Sequence, residues 1–479
     1  MALTFYWHDY ETWGTDPRRD RPVQFAGVRT DEELNPIGEP LVLYCRPADD
    51  MLPQPEAALV TGLTPQRALR EGVCEAEFMA AIHEQLARSG TCGVGYNTLR
   101  FDDEFTRYGL YRNFFDPYAR EWQHGNSRWD IIDPVRCARA LRPEGIEWPV
   151  REDGVTSFRL EELTAANGIE HVGAHDALAD VYATIALARL IRERQPRLYD
   201  YLLHQRNKHQ LARQLNPAEP QPVLHVSSKY PAGRGCIAMV APVAAHPSNK
   251  NGIIVFDLRS DPQPLLELEA EEIRERLFTP QSELAEGVER IPLKTVHLNR
   301  CPVIVPMNTL TEQAAAEWRI DVAAGERNLA ILRQAEGLAR KIQAAHAGPG
   351  MESSITDPDQ NLYGGGFFSD ADRRRMELVR QAAPQELADA DFGFQDVRLP
   401  EMLFRYRARN WPETLSTEER QRWDEFRRER LTDPEACSIT LNDYRGRLAQ
   451  LTTDTSLGTR EREILSTLAQ WPAVIGLEE

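Results

Sequence analysis

The chain has 479 residues, 42% of them hydrophobic and 27% charged, so it is soluble in composition, too long for one ordinary core, and expected to form two or three domains. No apolar run approaches the roughly 20 residues of a membrane span, and the start, from Leu3 to Asp9, lacks the basic and apolar regions of a cleaved signal. The net charge of −18 lowers the expectation of a nucleic-acid partner without excluding one, because a local basic track suffices on an acidic chain.

From Leu3 to Arg194 short apolar runs alternate with helical stretches. Phe5–Tyr10, Val23–Arg29, Pro40–Tyr44 and Cys92–Gly95 read as strands. Ala76–Ala87, Leu160–Ala166 and Ala177–Arg194 have helical spacing. This order predicts an α/β domain with a mixed central sheet, ended by Gln195-Pro196-Arg197. A second region, Leu211–Gly348, is rich in β-branched runs: Pro222–Val226, Ile237–Val243, Ile253–Leu258, Lys294–Val296 and Val303–Val305. These predict a small β-barrel or sheet, followed by one helix over Ala324–Ala345. The polar stretch Gly348–Asp359 reads as a linker, and from Asp370 onward the charged, helical pattern predicts a helical third domain. The expected boundaries are 1–195, 196–350 and 351–479. Seven scattered cysteines without a CxxC pair predict free thiols in a reducing cytoplasm.

The chemistry begins in the first strand, where His8-Asp9-Tyr10-Glu11-Thr12 puts Asp9 and Glu11 on one face. Two ionised carboxylates side by side repel unless a cation neutralises them, and oxygen-rich clusters suit Mg²⁺ or Mn²⁺. A lone pair of this kind would read as solvated acids at a strand end. Here, however, Asp102 follows the strand–turn segment Gly95–Phe101, and His175 and Asp180 follow in His175-Asp-Ala-Leu-Ala-Asp180. Five helical residues turn through roughly 500°, so His175 and Asp180 converge only if His175 lies in the loop before the helix, as Gly173 allows. Asp103 and Asp176 read as outer-shell or solvated neighbours.

Acids and histidine in the order DxE, D, H-x4-D match the DEDDh exonucleases. Longer stretches resemble one branch of them, bacterial exonuclease I: HDYETWGTDPRRDRPVQFAGVRTD from His8, SFRLEELTAANGIEH from Ser157, HLNRCPV from His297 and FRYRARNWPETL from Phe404. The resemblance implies an RNase H-like exonuclease domain, a central SH3-like β-domain and a helical C-terminal domain, in a multidomain α/β monomer. It further implies a cytoplasmic, Mg²⁺-dependent 3′→5′ exonuclease on single-stranded DNA, with roles in repair and recombination. Two metals would be held by Asp9, Glu11, Asp102 and Asp180, with His175 as proton acceptor.

The substrate track is expected to mix cations with aromatic faces. The resemblance places Glu11, Arg107, Tyr118, Trp122, Arg136, Phe158, Arg159, Lys208 and Lys294 on it, although each aromatic or cation among them could equally be core or solvated surface. It implies a second partner, the acidic C-terminal tail of single-stranded-DNA-binding protein, with Arg333 at one contact and Gln221 and Thr311 where basic residues are expected. An RNA 3′-exonuclease and a non-catalytic nucleic-acid scaffold are the alternatives.

Overall fold

The structure is a computed structural model that describes residues 3–171, 173, 175–347 and 355–477. The chain folds into two compact units: Met1–Arg128, His171–Ile185 and Glu352–Glu479 form the first, and Trp129–Glu170 with Ala186–Met351 form the second. Of the expected linker, residues 348–354 lie outside the described residues.

The first unit is built on a five-stranded sheet: β1 (Thr4–Thr12), β2 (Pro22–Thr30), β3 (Leu41–Tyr44), β4 (Thr91–Gly95) and β5 (Ser127–Asp130), in the order β3-β2-β1-β4-β5. β1 is central, antiparallel to β2 and parallel to β4, so the sheet is mixed. Its apolar residues are buried on both faces: Phe5, Tyr6 and Trp7 all lie inside. Helices α1 (Pro55–Thr61), α2 (Pro65–Glu71) and α3 (Glu75–Leu86) precede β4, and α4 (Asp102–Arg112) follows it. Tyr6, Tyr10 and Phe25 pack against Phe78, Met79, Ile82 and Leu110, each large side chain contributing roughly 1.5–3 kcal/mol on burial.

In the second unit α5 (Ile132–Leu141) and α6 (Leu160–Ala166) are followed by α7 (Ala177–Arg194), which starts in the first unit, then α8 (Pro196–His204) and α9 (Lys208–Gln214). Five strands, β6 (Val223–Val226), β7 (Ile237–Ala245), β8 (Gly252–Asp257), β9 (Leu293–His297) and β10 (Val303–Pro306), form an antiparallel sheet in the order β10-β6-β7-β8-β9. Short helices α10 (Gln263–Glu267), α11 (Ala270–Phe278) and α12 (Glu312–Glu317) interrupt it and follow it. The single helix expected over Ala324–Ala345 is two, α13 (Val322–Gln334) and α14 (Leu338–His346). Gly337, at φ 73°, is the cause: its left-handed backbone cannot continue a helix.

The remaining helices, α15 (Asp370–Gln381), α16 (Arg398–Asn410), α17 (Thr417–Arg430), α18 (Leu441–Thr452), α19 (Thr459–Ala469) and α20 (Trp471–Val474), belong to the first unit. They share its core: Tyr444, Leu448, Leu465, Leu468 and Trp471 pack with Trp13, Val23, Met51 and Leu52. Ion pairs complete the join, with Arg409 2.8 Å from Asp50 and 2.7 Å from Asp359, and Arg405 3.1 Å from Asp359.

Candidate active site

Three elements of the first unit converge. Asp9 and Glu11 share one face of β1, as alternation requires. Asp102 opens α4, and its carboxylate accepts from the backbone N–H of Tyr10 at 3.0 Å, which fixes α4 to β1 between the two strand acids. Asp180 lies in the first turn of α7. Asp176 caps that helix, accepting from the N–H groups of Leu178 and Ala179 at 3.1 and 3.3 Å. Just before the cap, Gly173 and His175 adopt positive φ, 88° and 68°, so the chain turns sharply and brings the histidine round to the acids. Ligand atoms of Glu11, His175 and Asp180 lie within 4.8 Å of one another.

Electrostatics single this cluster out. Burial, then the neighbouring Asp102, Glu11 and Asp180, hold the Asp9 carboxyl well above the usual carboxylate range. Glu11 is pushed up to about 9 by burial and by Asp180 and Asp102. Asp180 is raised by burial, against the lowering effect of His171. Acids held this close and this far from water form a donor set matched to a hard divalent cation, which would restore their ionised state. Beside Glu11 opens a cleft of ≈ 660 Å³ walled by Thr12, Ala57, Val60 and Phe101. His8, the first residue of the motif, is not part of this chemistry: burial lowers it to about 4 and it stacks on Phe25.

Of the two roles expected of Asp103, outer-shell or solvated, burial excludes the second. It is buried, 2.5 Å from Arg120 and 2.8 Å from Arg128, and these guanidiniums hold its carboxyl far below its ordinary range. Asp176 is the helix cap rather than a bystander. One functional contact carries no clear sequence signal: His171 Nε2 lies 2.5 Å from Asp180 Oδ1. A histidine nine residues before the acid has no fixed relation to it in any regular element.

The expected track residues divide between the units. In the first, Arg107 is buried against Glu104 and Glu121 (both 2.7 Å) and its guanidinium lies 5.5 Å from the Tyr118 ring centroid, so it props an aromatic face. Trp122 is 66% exposed, and Tyr118 is flanked by Phe367, 83% exposed, and Tyr363, two aromatics that sequence reasoning did not place there. In the second unit Arg136, 2.5 Å from Asp133, lies over Phe158, whereas the Arg159 side chain is 72% exposed. Lys208 is exposed at the start of α9, and Lys294 Nζ lies 4.3 Å from the Tyr230 ring centroid. Arg333 is exposed, donates to the Pro220 carbonyl at 3.1 Å, and lines a cleft of ≈ 550 Å³ with Gln221, Leu329 and Leu338. The cysteines are free and buried, with Cys301 half-buried. Among the described residues no helix is long and apolar enough to cross a membrane.

Comparison with known proteins agrees with this architecture. Family models match in three consecutive blocks: an exonuclease over residues 6–188, the exonuclease I SH3-like domain over 206–348 and the exonuclease I C-terminal domain over 356–475. Exodeoxyribonuclease I of Escherichia coli is 51% identical over 90% of this chain and 90% of its own length. The structure of exonuclease I from Methylocaldum szegediense superposes with a TM-score of 0.95 at 55% identity, covering 99% of this chain and all (100%) of that one. A zinc-bound complex of E. coli exonuclease I with single-stranded DNA superposes with a TM-score of 0.93 at 48% identity, covering 99% and 100%. The chain therefore belongs to the exodeoxyribonuclease I family.

Proposed function

We propose that this protein is a single-stranded-DNA 3′→5′ exodeoxyribonuclease whose reaction takes place at the Asp9–Glu11–Asp102–His175–Asp180 cluster. The observation that carries the assignment is the convergence of Glu11, His175 and Asp180 ligand atoms within 4.8 Å among carboxyls that burial raises.

Two divalent cations, Mg²⁺ in this reading, are held by Asp9, Glu11, Asp102 and Asp180 and supply positive charge to the reacting phosphate. Asp9, at the centre of the acids, would be shared between them when they bind. His175 accepts the proton of the attacking water, a role suited to an imidazole on a turn beside the acids. The new P–O bond forms as the P–O3′ bond of the penultimate nucleotide breaks. A 5′-mononucleotide leaves, the shortened strand retains a 3′-hydroxyl, and solvent reprotonates that oxygen. The cleft beside Glu11, walled by Phe101 and Val60, suits the terminal nucleoside. Tyr118, Trp122, Tyr363 and Phe367 offer exposed or half-exposed rings for unstacked bases, each worth roughly 1–3 kcal/mol when a base stacks on it.

The expected partner in the cell is the acidic, Phe-terminated tail of single-stranded-DNA-binding protein. The Arg333 cleft supports it, joining a guanidinium for a carboxylate to the apolar Leu329 and Leu338 for a phenyl ring. A monomeric cytoplasmic enzyme of DNA repair and recombination completes the reading. End-labelled DNA and RNA oligonucleotides, incubated with Mg²⁺ or EDTA, test the assignment. Mg²⁺-dependent shortening of DNA from the 3′ end, lost in Asp9→Ala and His175→Ala, is expected; faster RNA cleavage or indifference to Asp9 overturns it.

A further inference from the structure

Gln24 stands on β2 directly opposite Glu11 of β1, and cross-strand partners project from the same face. It is 1% exposed, in the middle of a sheet where an apolar side chain would be the ordinary choice. Its amide makes three contacts. Nε2 donates to Asp176 Oδ2 at 3.2 Å and to the Tyr44 hydroxyl at 3.3 Å, while Oε1 accepts from the backbone N–H of Ala177 at 3.3 Å. Tyr44 is itself held, accepting from Arg67 at 2.9 Å, so the amide is braced from behind.

Asp176 and Ala177 are the first two of the four residues between His175 and Asp180. The loop ahead of them has positive φ at Gly173 and His175, a conformation uncommon at non-glycine residues. We propose that Gln24 is a positioning residue for the reaction assigned above. By this inference, which rests on that reading, its amide fastens the His175–Asp180 segment to the strand paired with the one that carries Asp9 and Glu11. Only an amide fits both demands. A carboxylate at position 24 could accept from Ala177 but would face the Asp176 carboxylate, and an aliphatic side chain would leave a buried carboxylate and a helix N–H without this partner.

Gln24→Ala and Gln24→Glu are compared with wild type in three measurements: single-turnover cleavage of single-stranded DNA, Mn²⁺ binding by electron paramagnetic resonance, and amide exchange across residues 171–181. The expected result is a rate lower by about tenfold to a hundredfold with KM for DNA unchanged, weaker Mn²⁺ binding, and faster exchange confined to 171–181. Adding Asp176→Asn to Gln24→Glu inverts donor and acceptor while keeping the helix cap, and is expected to recover most of the lost rate. Wild-type rate and exchange in Gln24→Ala, or no recovery in the double variant, overturns the inference. A wild-type protein that leaves DNA intact overturns the parent reading instead, and the exchange and Mn²⁺ measurements then still decide the role of Gln24.

Discussion

The first unit contains two groups of buried or half-buried carboxylates, compensated in opposite ways. Asp50 and Asp359 meet Arg409, Arg405 and Arg430, and these guanidiniums hold both carboxyls far below their ordinary range. Asp9 and Glu11 are instead raised, by burial first and then by neighbouring acids, and Asp180 by burial, with His171 and His175 pulling it back down. One cluster carries its countercharge in the chain and fastens α16 and α17 to the loop before α1. The other leaves its countercharge to be supplied from solution. Carboxylates drawn out of water therefore serve stability in one place and ion capture in the other, and the sign of the shift tells them apart.

The largest effect is expected from Asp9→Asn, which should lower Mg²⁺-dependent cleavage at least about 10³-fold, roughly 4 kcal/mol of transition-state stabilisation. The same substitution should raise the melting temperature in EDTA, because it removes one member of a repelling group. A fall in melting temperature there would erase the contrast between the clusters. Asp50→Ala is expected to do the reverse: it takes one of two carboxylates from Arg409 and the buried one from Arg430 and should cost about 3 kcal/mol in urea unfolding, while the surviving folded fraction cleaves at near wild-type rate. His171→Ala, which frees an Asp180 oxygen, should slow single-turnover cleavage by about tenfold to a hundredfold with little change in unfolding midpoint.

The smallest effect is on pH dependence. Glu11 has a folded pKa raised to about 9, above its unfolded value, so its contribution to stability is full below about pH 4.5 and is lost as pH rises toward 9. Asp50 and Asp359 are lowered, so theirs is present above the ordinary aspartate range and lost only in strong acid. In EDTA the melting temperature should therefore decline modestly between pH 5 and 9. Glu11→Gln or saturating Mg²⁺ should flatten that decline, and a melting curve series that shows no such flattening would assign the slope to other groups.

Much of the site could be read from the sequence because its logic is local. Alternation on one strand pairs Asp9 with Glu11, and five residues of helical rotation force His175 into a loop, where it is found. Strand and helix limits in both sheets followed from β-branched runs and helical spacing. For Asp103 the sequence leaves outer-shell and solvated roles open because its partners, Arg120 and Arg128, arrive 17 and 25 residues later from separate elements. Gln24 and His171 left no trace for a similar reason: each acts through a partner fixed by tertiary register, 152 and 9 residues away. β5 was missed because Ser127-Arg-Trp-Asp130 is too polar and short to read as a strand, though sheet pairing makes it one.

The core that joins Trp13 and Val23 to Tyr444, Leu465 and Trp471 bears on how the protein is made. The ribosome emits the catalytic strand first, yet the side chains that seal its far end emerge more than 400 residues later. Such long-range closure slows folding and leaves the growing chain with an open edge of its first core. A nascent chain would therefore carry every catalytic residue well before it carries a finished nuclease, so that cutting power matures with the closing of that core and not with translation of the motif.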